Sequence, residues 1–150
     1  MTETLKYAAV MLAAGICVPL LAALNARLGQ HIGSPAVAAL CLFLVALITA
    51  ALVVSVTGGV PISQIASAPK HLFLGGSLIA FYVLAITYIA PHFGLGNAVF
   101  LVLLGQLACA AAIDHFGWFN SIASPISGKR AAGLFLMMIG VYLARANPDG

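Results

Sequence analysis

Six polar side chains lie in or beside long apolar runs, and they are the residues of this sequence best placed to do chemistry. They are Asn25, Tyr82, Tyr88, Gln106, Asp114 and Arg130. Two amides, two phenols and a carboxylate with a guanidinium can bind a ligand by hydrogen bonds or charge, but they include no nucleophile with an acid-base partner. The sequence also contains no HExxH, GxSxG or P-loop pattern. It therefore predicts a binding function and not an enzyme.

Four of these residues, Asn25, Tyr82, Tyr88 and Gln106, are predicted to bind a substrate. A polar side chain inside lipid costs free energy unless it faces a partner or a wet cavity. Two interpretations follow from this cost. Either these side chains line a cavity that holds a small molecule, or they form hydrogen bonds between helices. Gln106 is the most interior polar side chain of its run, about two helical turns before Asp114.

Asp114 and Arg130 form the second candidate feature. Asp114 ends the apolar run "LVLLGQLACAAAID", and Arg130 begins the next run, so both residues are expected on the same side of a membrane. Charges at the end of a span avoid most of the cost of the bilayer centre. We therefore predict a structural ion pair that anchors the connection. The alternative role is coupling of transport to protons or substrate.

Metal ions, cofactors and nucleic acid are not expected as partners. The residues with metal-binding side chains are Cys17, Cys41, Cys109, His31, His71, His92 and His115. The cysteines lie inside apolar runs without CxxC spacing, which favours a packing role, and the histidines lie at the ends of runs, which favours an interfacial role. Six basic residues scattered singly form no patch that could follow phosphates.

The elements that must position the candidate residues are membrane-spanning helices. The chain has 150 residues, of which 63% are hydrophobic and 6% charged, far from the usual soluble mixture of about 25% charged. Uncharged runs of about 20 residues are typical of helices that cross a bilayer. We predict an all-α integral membrane protein with a single domain over residues 1–150. The five predicted spans are about 6–26, 35–56, 71–90, 95–113 and 130–145.

The helix ends carry recognisable signals. Ser34 followed by Pro35 predicts an N-cap and a first helical residue, and Gly58 is predicted to stop the second helix. Pro91 is predicted to end the third span, and Asn97 or Gly96 to lie near the N-cap of the fourth. The fifth span is short, so Arg130 and Arg145 are expected to extend their charged groups toward the interfaces.

Five spans place the two termini on opposite sides of the membrane. The basic residues are Lys6, Lys70, Lys129 and Arg130 on the amino-terminal side and Arg27 and Arg145 on the other. Four against two is a weak bias toward an inward amino terminus. An odd number of spans with a weak bias suits a chain that inserts in both directions, or that pairs with an inverted copy. A single fixed orientation remains the alternative.

The sequence resembles the YdcZ-like family, short members of the drug/metabolite transporter superfamily. The resemblance rests on "PLLAALNARLG", "GGSLIAFYVLAITYIAPHFGLG", "LLGQLACAAAIDHFGWF" and "GKRAAGLFLMMIGVYL", and it covers nearly the whole chain. The most specific residues are Gly105, Gln106, Asp114, His115, Phe116 and Gly117. The resemblance implies half of a ten-helix transporter with inverted repeats, in which two halves pair in opposite orientations as a homodimer or with an inverted paralogue.

The expected function is that of a transporter half-unit in the bacterial inner membrane, working by alternating access as an antiparallel dimer. The first span carries no deep acid that could balance a permanently cationic drug, so a neutral or zwitterionic small metabolite is the favoured substrate. Two other functions stay open. A non-transporting scaffold or accessory subunit would bind a larger membrane partner, and a flippase component would move a lipid-linked substrate. The expected partners are membrane lipid, a small molecule and a second half-unit.

Overall fold

The computed structural model describes residues 3–59, 62–121 and 123–144 and is built from helices. The α-helices are α1 (Glu3–Ile32), α2 (Pro35–Thr57), α3 (Ile62–Ser67), α4 (Leu74–Phe93), α5 (Leu95–Phe116) and α6 (Gly128–Ala144). Short 3-10 turns cover Lys70–Phe73 and Trp118–Asn120. No strand occurs within these described ranges. The predicted all-α class is therefore confirmed for the described residues.

Four of the helical segments are long and apolar enough to cross a membrane. They are Glu3–Ile32, Pro35–Thr57, Lys70–Phe93 and Leu95–Phe116. Helix α6 has 17 residues, or about 26 Å at 1.5 Å per residue, which is slightly less than the usual bilayer core of about 30 Å. Arg145, expected at the end of the fifth span, lies outside the described residues.

The start and end of α2 follow the predicted chemistry. Ser34 has an extended backbone, and its hydroxyl oxygen accepts a hydrogen bond from the backbone N–H of Val37 at 3.3 Å. Pro35 occupies the first helical position, where its missing N–H leaves no bond unmade. Gly58 follows the helix with a φ of 92°, a left-handed conformation that glycine adopts without strain. The predicted cap and stop are confirmed.

Two predicted helix ends between α4 and α5 are wrong. Pro91 lies inside α4, which continues to Phe93, because neighbouring helices and polar side chains can satisfy the backbone carbonyl that a proline leaves without a donor in a membrane helix. Helix α5 starts after Gly94, whose φ is 87°, and not after Gly96 or Asn97. Asn97 instead lies in the first turn of α5, where its side-chain amide donates to the carbonyl of Phe93 at 2.9 Å.

The chain divides into two compact units, residues 1–92 and 93–150. In the first unit the carboxyl-terminal half of α1 packs on the amino-terminal half of α2. Small residues make this contact possible: Ala22, Ala26, Ala38 and Ala39 are all buried. Helices in lipid lack the hydrophobic drive of water and associate through such close backbone contact.

Large parts of the first unit are exposed. Residues 3–17 of α1, 44–57 of α2 and 74–79 of α4 are all exposed. Glycines in these segments have open space where a side chain would project, as at Gly15, Gly75 and Gly76. The first unit is therefore packed along one half of its helices and unpacked along the other. In the second unit, α5 packs on α6 and on the 3-10 turn that follows α5.

Candidate functional site

A buried hydrogen bond joins α1 to α4 in the first unit. The side-chain amide of Asn25 donates to Oγ1 of Thr87 at 2.6 Å, and the Thr87 hydroxyl donates in turn to the carbonyl of Val83 at 2.6 Å. Asn25 is 5% exposed and Thr87 is 1% exposed. The predicted substrate residue Asn25 thus meets a helix partner, and this contact is the geometry expected of the interhelical interpretation.

Gly29 of α1 lies beside this bond and close to residues of α2 and α4. A Cβ atom at Gly29 would lie 3.1 Å from the methyl carbon of Thr87, 3.4 Å from the Cα of Pro35 and 3.6 Å from the Cβ of Ala38. Residues of α1, α2 and α4 therefore meet at one point. We call Asn25, Gly29, Ala38 and Thr87 the helix junction. It fixes the relative positions of the three helices at the packed end of the first unit.

Two open cavities flank the helix junction. One, of about 260 Å³, is lined by Asn25 and by apolar side chains of α1 and α2, with Cys41 among them. The other, of about 280 Å³, is lined by Gln30, Tyr88 and His92 together with Gly29 and Thr87. Asn25 and Tyr88 thus line different cavities. Each volume is slightly below the usual range for small-molecule sites, about 300 to 1,000 Å³.

Tyr82 shows the clearest unmet bonding capacity in the described chain. Its side chain is half-buried, and its hydroxyl oxygen is buried without a hydrogen-bond partner among the described residues. A buried hydroxyl that lacks a partner costs free energy, because it has given up its bonds to water. Tyr82 lines neither of the two cavities beside the helix junction, and its assignment to a substrate site stays a prediction.

Gln106 belongs to the second unit, where its side chain is exposed on α5. At its neighbour Gly105, no atom lies within 4 Å of the position that a Cβ would occupy. Nothing therefore packs against α5 at Gly105. An apolar cavity of about 210 Å³ lies between α5 and α6 and is lined mainly by aromatic and aliphatic side chains. Its lining residues are Phe93, Asn97, Phe100, Leu101, Leu104, Met138, Val141 and Tyr142. Gln106 does not line this cavity.

Asp114 and Arg130 meet across the connection between α5 and α6. The guanidinium of Arg130 lies 2.7 Å from Oδ2 of Asp114, and each side chain is 34% exposed. The other carboxylate oxygen, Oδ1, accepts a hydrogen bond from the hydroxyl of Ser121 at 2.9 Å. The backbone carbonyl of Asp114 also accepts from the N–H of Ser124 at 2.8 Å. Asp114 thus holds the connection at three points. The two roles predicted for this pair, to anchor the connection or to couple transport to protons or substrate, both stay predictions.

His115, next in the chain, holds the far end of the same connection. Its Nδ1 accepts a hydrogen bond from the backbone N–H of Ile126 at 3.0 Å. The imidazole also meets the edge of Phe116 with ring centres 4.8 Å apart, and Phe116 stacks on Trp118 at 5.0 Å. The connection turns sharply because Gly117 and Phe119 both have positive φ values, 62° and 56°.

Sequence reasoning missed three residues of these clusters. Thr87 resembled a small packing residue, since it shares a face of α4 with Gly76 and Ala80, and its bond to Asn25 links positions 62 residues apart. Ser121 carried no signal beyond its loop position. His115 was assigned an interfacial role, and the signal that could have singled it out was its place directly after Asp114. Within the described residues, no group of three histidine, cysteine or acidic side chains could hold a metal ion.

Four helices long and apolar enough to cross a membrane define the class of this protein, a polytopic helical membrane protein. The chain belongs to the family described as "Putative inner membrane exporter, YdcZ", whose profile matches residues 6–143. The family resemblance predicted from the sequence is therefore confirmed. Neither the comparison with curated proteins nor the comparison with solved structures finds a match.

Proposed function

We propose that this chain is one half-unit of a bacterial inner-membrane exporter, which moves a small neutral or zwitterionic metabolite by alternating access as an antiparallel dimer. Family membership supports export across the inner membrane. The dimer, the inverted repeat that it creates, the insertion of the chain in both orientations and the substrate class are parts of the proposal. In it, α6 is the fifth span, and Arg130 extends its charge toward the interface to compensate for the shorter helix.

The unpacked half of the first unit is the observation that carries this proposal. Residues 3–17 of α1 extend over about 22 Å at 1.5 Å per residue, and none of them is buried or half-buried. Helices in a bilayer gain stability when glycine and alanine allow backbones to approach, and Gly15, Gly75 and Gly76 have no side chain against them. A second copy in the opposite orientation would cover this surface and complete the walls of a path.

The proposed substrate residues are Asn25, Tyr82, Tyr88 and Gln106, all uncharged. Helix α1 contains one acidic residue, Glu3, which begins the helix and pairs with Lys6 at 2.7 Å. A cation moving past these side chains would meet no carboxylate on α1 beyond Glu3, and charges near the bilayer centre cost about 2.5 to 3.5 kcal/mol on insertion scales. Hydrogen bonds from amides and phenols suit a neutral or zwitterionic molecule. Asp114 and Arg130 are proposed to anchor the α5–α6 connection.

Topology reporters test the dimer directly. A reporter fused after Gly150 is expected to give signal on both sides of the membrane. Two lysines replacing the exposed residues His31 and Ile32, at the end of α1, should shift the mixture, because the bias of basic residues is weak enough to reverse. A single orientation in cells without an inverted paralogue would exclude the antiparallel homodimer.

Substitution of Gln106 tests its assignment to the transport path. Gln106→Leu is expected to abolish export or ligand binding while the protein still folds, because the side chain is exposed and makes no bond that the fold needs. Gln64→Leu on α3 is the matched control, since Gln64 is also exposed and lies outside the proposed site. Full export by Gln106→Leu would remove Gln106 from the site.

A further inference from the structure

The side-chain oxygen of Asn25 has no hydrogen-bond donor among the described residues, although the residue is only 5% exposed. The amide nitrogen of the same side chain is bonded to Oγ1 of Thr87. Asn25 lines the cavity of about 260 Å³ between α1 and α2, which we call the α1–α2 cavity. Buried polar atoms almost always have a partner, so this oxygen points to a donor that the described chain does not supply.

Thr87 determines which end of the Asn25 amide faces it. The hydroxyl of Thr87 has one proton, and it donates that proton to the carbonyl of Val83 at 2.6 Å. Thr87 can therefore only accept a hydrogen bond from Asn25, so the amide turns its nitrogen toward Thr87 and its oxygen away. A rotated amide would place two acceptors against each other. The free oxygen is thus a consequence of the helix junction.

The other walls of the α1–α2 cavity are apolar. Five leucine and valine side chains line it together with Cys41, which is half-buried on α2. None of the described side chains that line it is charged. A charged group placed there would lose water and meet no opposing charge. These walls favour a neutral molecule over a zwitterion, and the free oxygen of Asn25 favours one with an O–H or N–H donor.

We propose that the α1–α2 cavity binds a small neutral aliphatic molecule whose O–H or N–H group donates to Oδ1 of Asn25. A lipid acyl chain can fill apolar space, but it has no donor for this oxygen. That the bound molecule is also the exported substrate rests on the proposed function, whereas binding itself does not. Tyr88 does not line this cavity, so it has no part in holding the molecule there.

Protection of Cys41 from N-ethylmaleimide measures occupation of the α1–α2 cavity. The full chain with Cys17→Ala and Cys109→Ala keeps Cys41 as its single thiol. Cyclohexanol and cyclohexanone are the two test molecules, because they have nearly the same shape and only the alcohol has a donor. In detergent micelles, cyclohexanol should protect Cys41 at a concentration about 2- to 12-fold lower than cyclohexanone, as for one net hydrogen bond.

Substitutions show whether protection arises in the cavity and through Asn25. Val45→Phe enlarges a side chain of the cavity wall and should reduce protection by both molecules. Val53→Phe is the matched control, since Val53 is also exposed on α2 but does not line the cavity. Asn25→Leu should remove the advantage of the alcohol. A chain with Cys17 as its single thiol should show no protection by either molecule.

Equal protection by cyclohexanol and cyclohexanone, or no protection by either, would overturn the proposal. Protection by added phospholipid as complete as that by cyclohexanol would identify the occupant as an acyl chain instead. Protection that follows dimer formation without any added molecule would identify it as a second copy. The measurement involves no transport, so a chain that exports nothing can still bind cyclohexanol, and a chain that exports a metabolite can fail to bind it.

Discussion

The amide of Asn25 and the hydroxyl of Thr87 lie 2.6 Å apart and join α1 to α4 in a region from which solvent is nearly excluded. The hydroxyl continues to the carbonyl of Val83, so the bond belongs to a short chain of donors and acceptors. The neighbouring contacts at Gly29 and Ala38 bring α2 to the same point. The helix junction thus combines a polar bond with close backbone packing.

The effects of removing the two partners of this bond should not add. Thr87→Val should lower the free energy of unfolding by about 1 to 3 kcal/mol, because it leaves the buried Asn25 amide without this partner. Asn25→Leu should cost less, because the Thr87 hydroxyl keeps its bond to the carbonyl of Val83. The double substitution should cost less than the sum, with a coupling of about 0.6 to 1.7 kcal/mol, as measured between membrane helices. Reversible unfolding in mixed detergent micelles gives these values.

Thr49→Val is the control for this cycle. Thr49 is exposed on α2, and its hydroxyl donates to the carbonyl of Val45 in the same helix at 2.8 Å. The same chemical change should therefore have little effect there. Additive costs for Asn25→Leu and Thr87→Val would mean that their bond contributes nothing measurable to folding.

A side chain at Gly29 should destabilise the helix junction. Gly29→Ala places a Cβ atom 3.1 Å from the Thr87 methyl carbon, which cannot turn away easily because the Thr87 hydroxyl is held by Asn25 and Val83. We expect a loss of about 1 to 3 kcal/mol, as for other overpacked contacts. Thr87→Ser removes that methyl and keeps the hydroxyl. Combined with Gly29→Ala, it should restore part of the lost free energy of unfolding.

Gly15→Ala on the same helix is the comparison. Gly15 has nothing within 4 Å, so alanine there should be neutral or stabilising by up to about 1 kcal/mol through its helix propensity. The test compares the unfolding midpoints of Gly29→Ala, of Gly29→Ala combined with Thr87→Ser, and of Gly15→Ala in one detergent mixture. Equal effects at Gly15 and Gly29 would show that the close contact at Gly29 has no energetic consequence.

Local chemistry was readable from the sequence where a few neighbouring residues decide the outcome. Ser34, Pro35 and Gly58 are such a case, since a cap, a first-turn proline and a left-handed glycine act within one helical turn. The start of α5 failed because Gly94, Gly96 and Asn97 are all acceptable end residues, and the choice among them depends on contacts that local propensity does not contain. The composition alone was sufficient to predict a membrane protein.

Contacts between distant residues were harder to foresee. Asp114 and Arg130 were expected on one membrane side because one ends a span and the other begins the next, and they do meet. Asn25 and Thr87 offered no such constraint, since many pairings of three helices would bury an amide equally well. The bond from Ile126 to His115 joins residues 11 positions apart. The left-handed conformation of Phe119 is one that an aromatic residue rarely adopts and that no local pattern indicated.

The ion pair of Asp114 and Arg130 should contribute little to stability by itself. Asp114→Asn is expected to lower the unfolding midpoint less than either single change at Asn25 or Thr87, because water and salt screen partly exposed charges. The exchanged pair, Asp114→Arg with Arg130→Asp, should recover much of what either single charge change loses. Glu3→Gln, which breaks the exposed pair with Lys6, should have no measurable effect.

A coupling role for Asp114 gives a different pattern. Export measured in proteoliposomes would then lose its pH dependence in Asp114→Asn at unchanged stability, and the exchanged pair would recover nothing. We expect the anchoring pattern, in which assembly follows the presence of opposite charges at the two positions. Unchanged assembly together with lost pH dependence would assign Asp114 to coupling instead.

Tyr82 gives the sharpest test of the substrate site, because its hydroxyl is buried and has no partner within the described part of the chain. Tyr82→Phe keeps the ring and removes that hydroxyl, so the isolated chain should be as stable as before or more stable by up to about 1 kcal/mol. We expect export or ligand binding to fall sharply at the same time, since the hydroxyl would take its hydrogen bond from the bound molecule. Tyr142→Phe, on the 77% exposed tyrosine of α6, should leave both stability and export unchanged. Full export by Tyr82→Phe would remove Tyr82 from the site, and a loss of stability would show that the hydroxyl has a structural partner in the assembled protein.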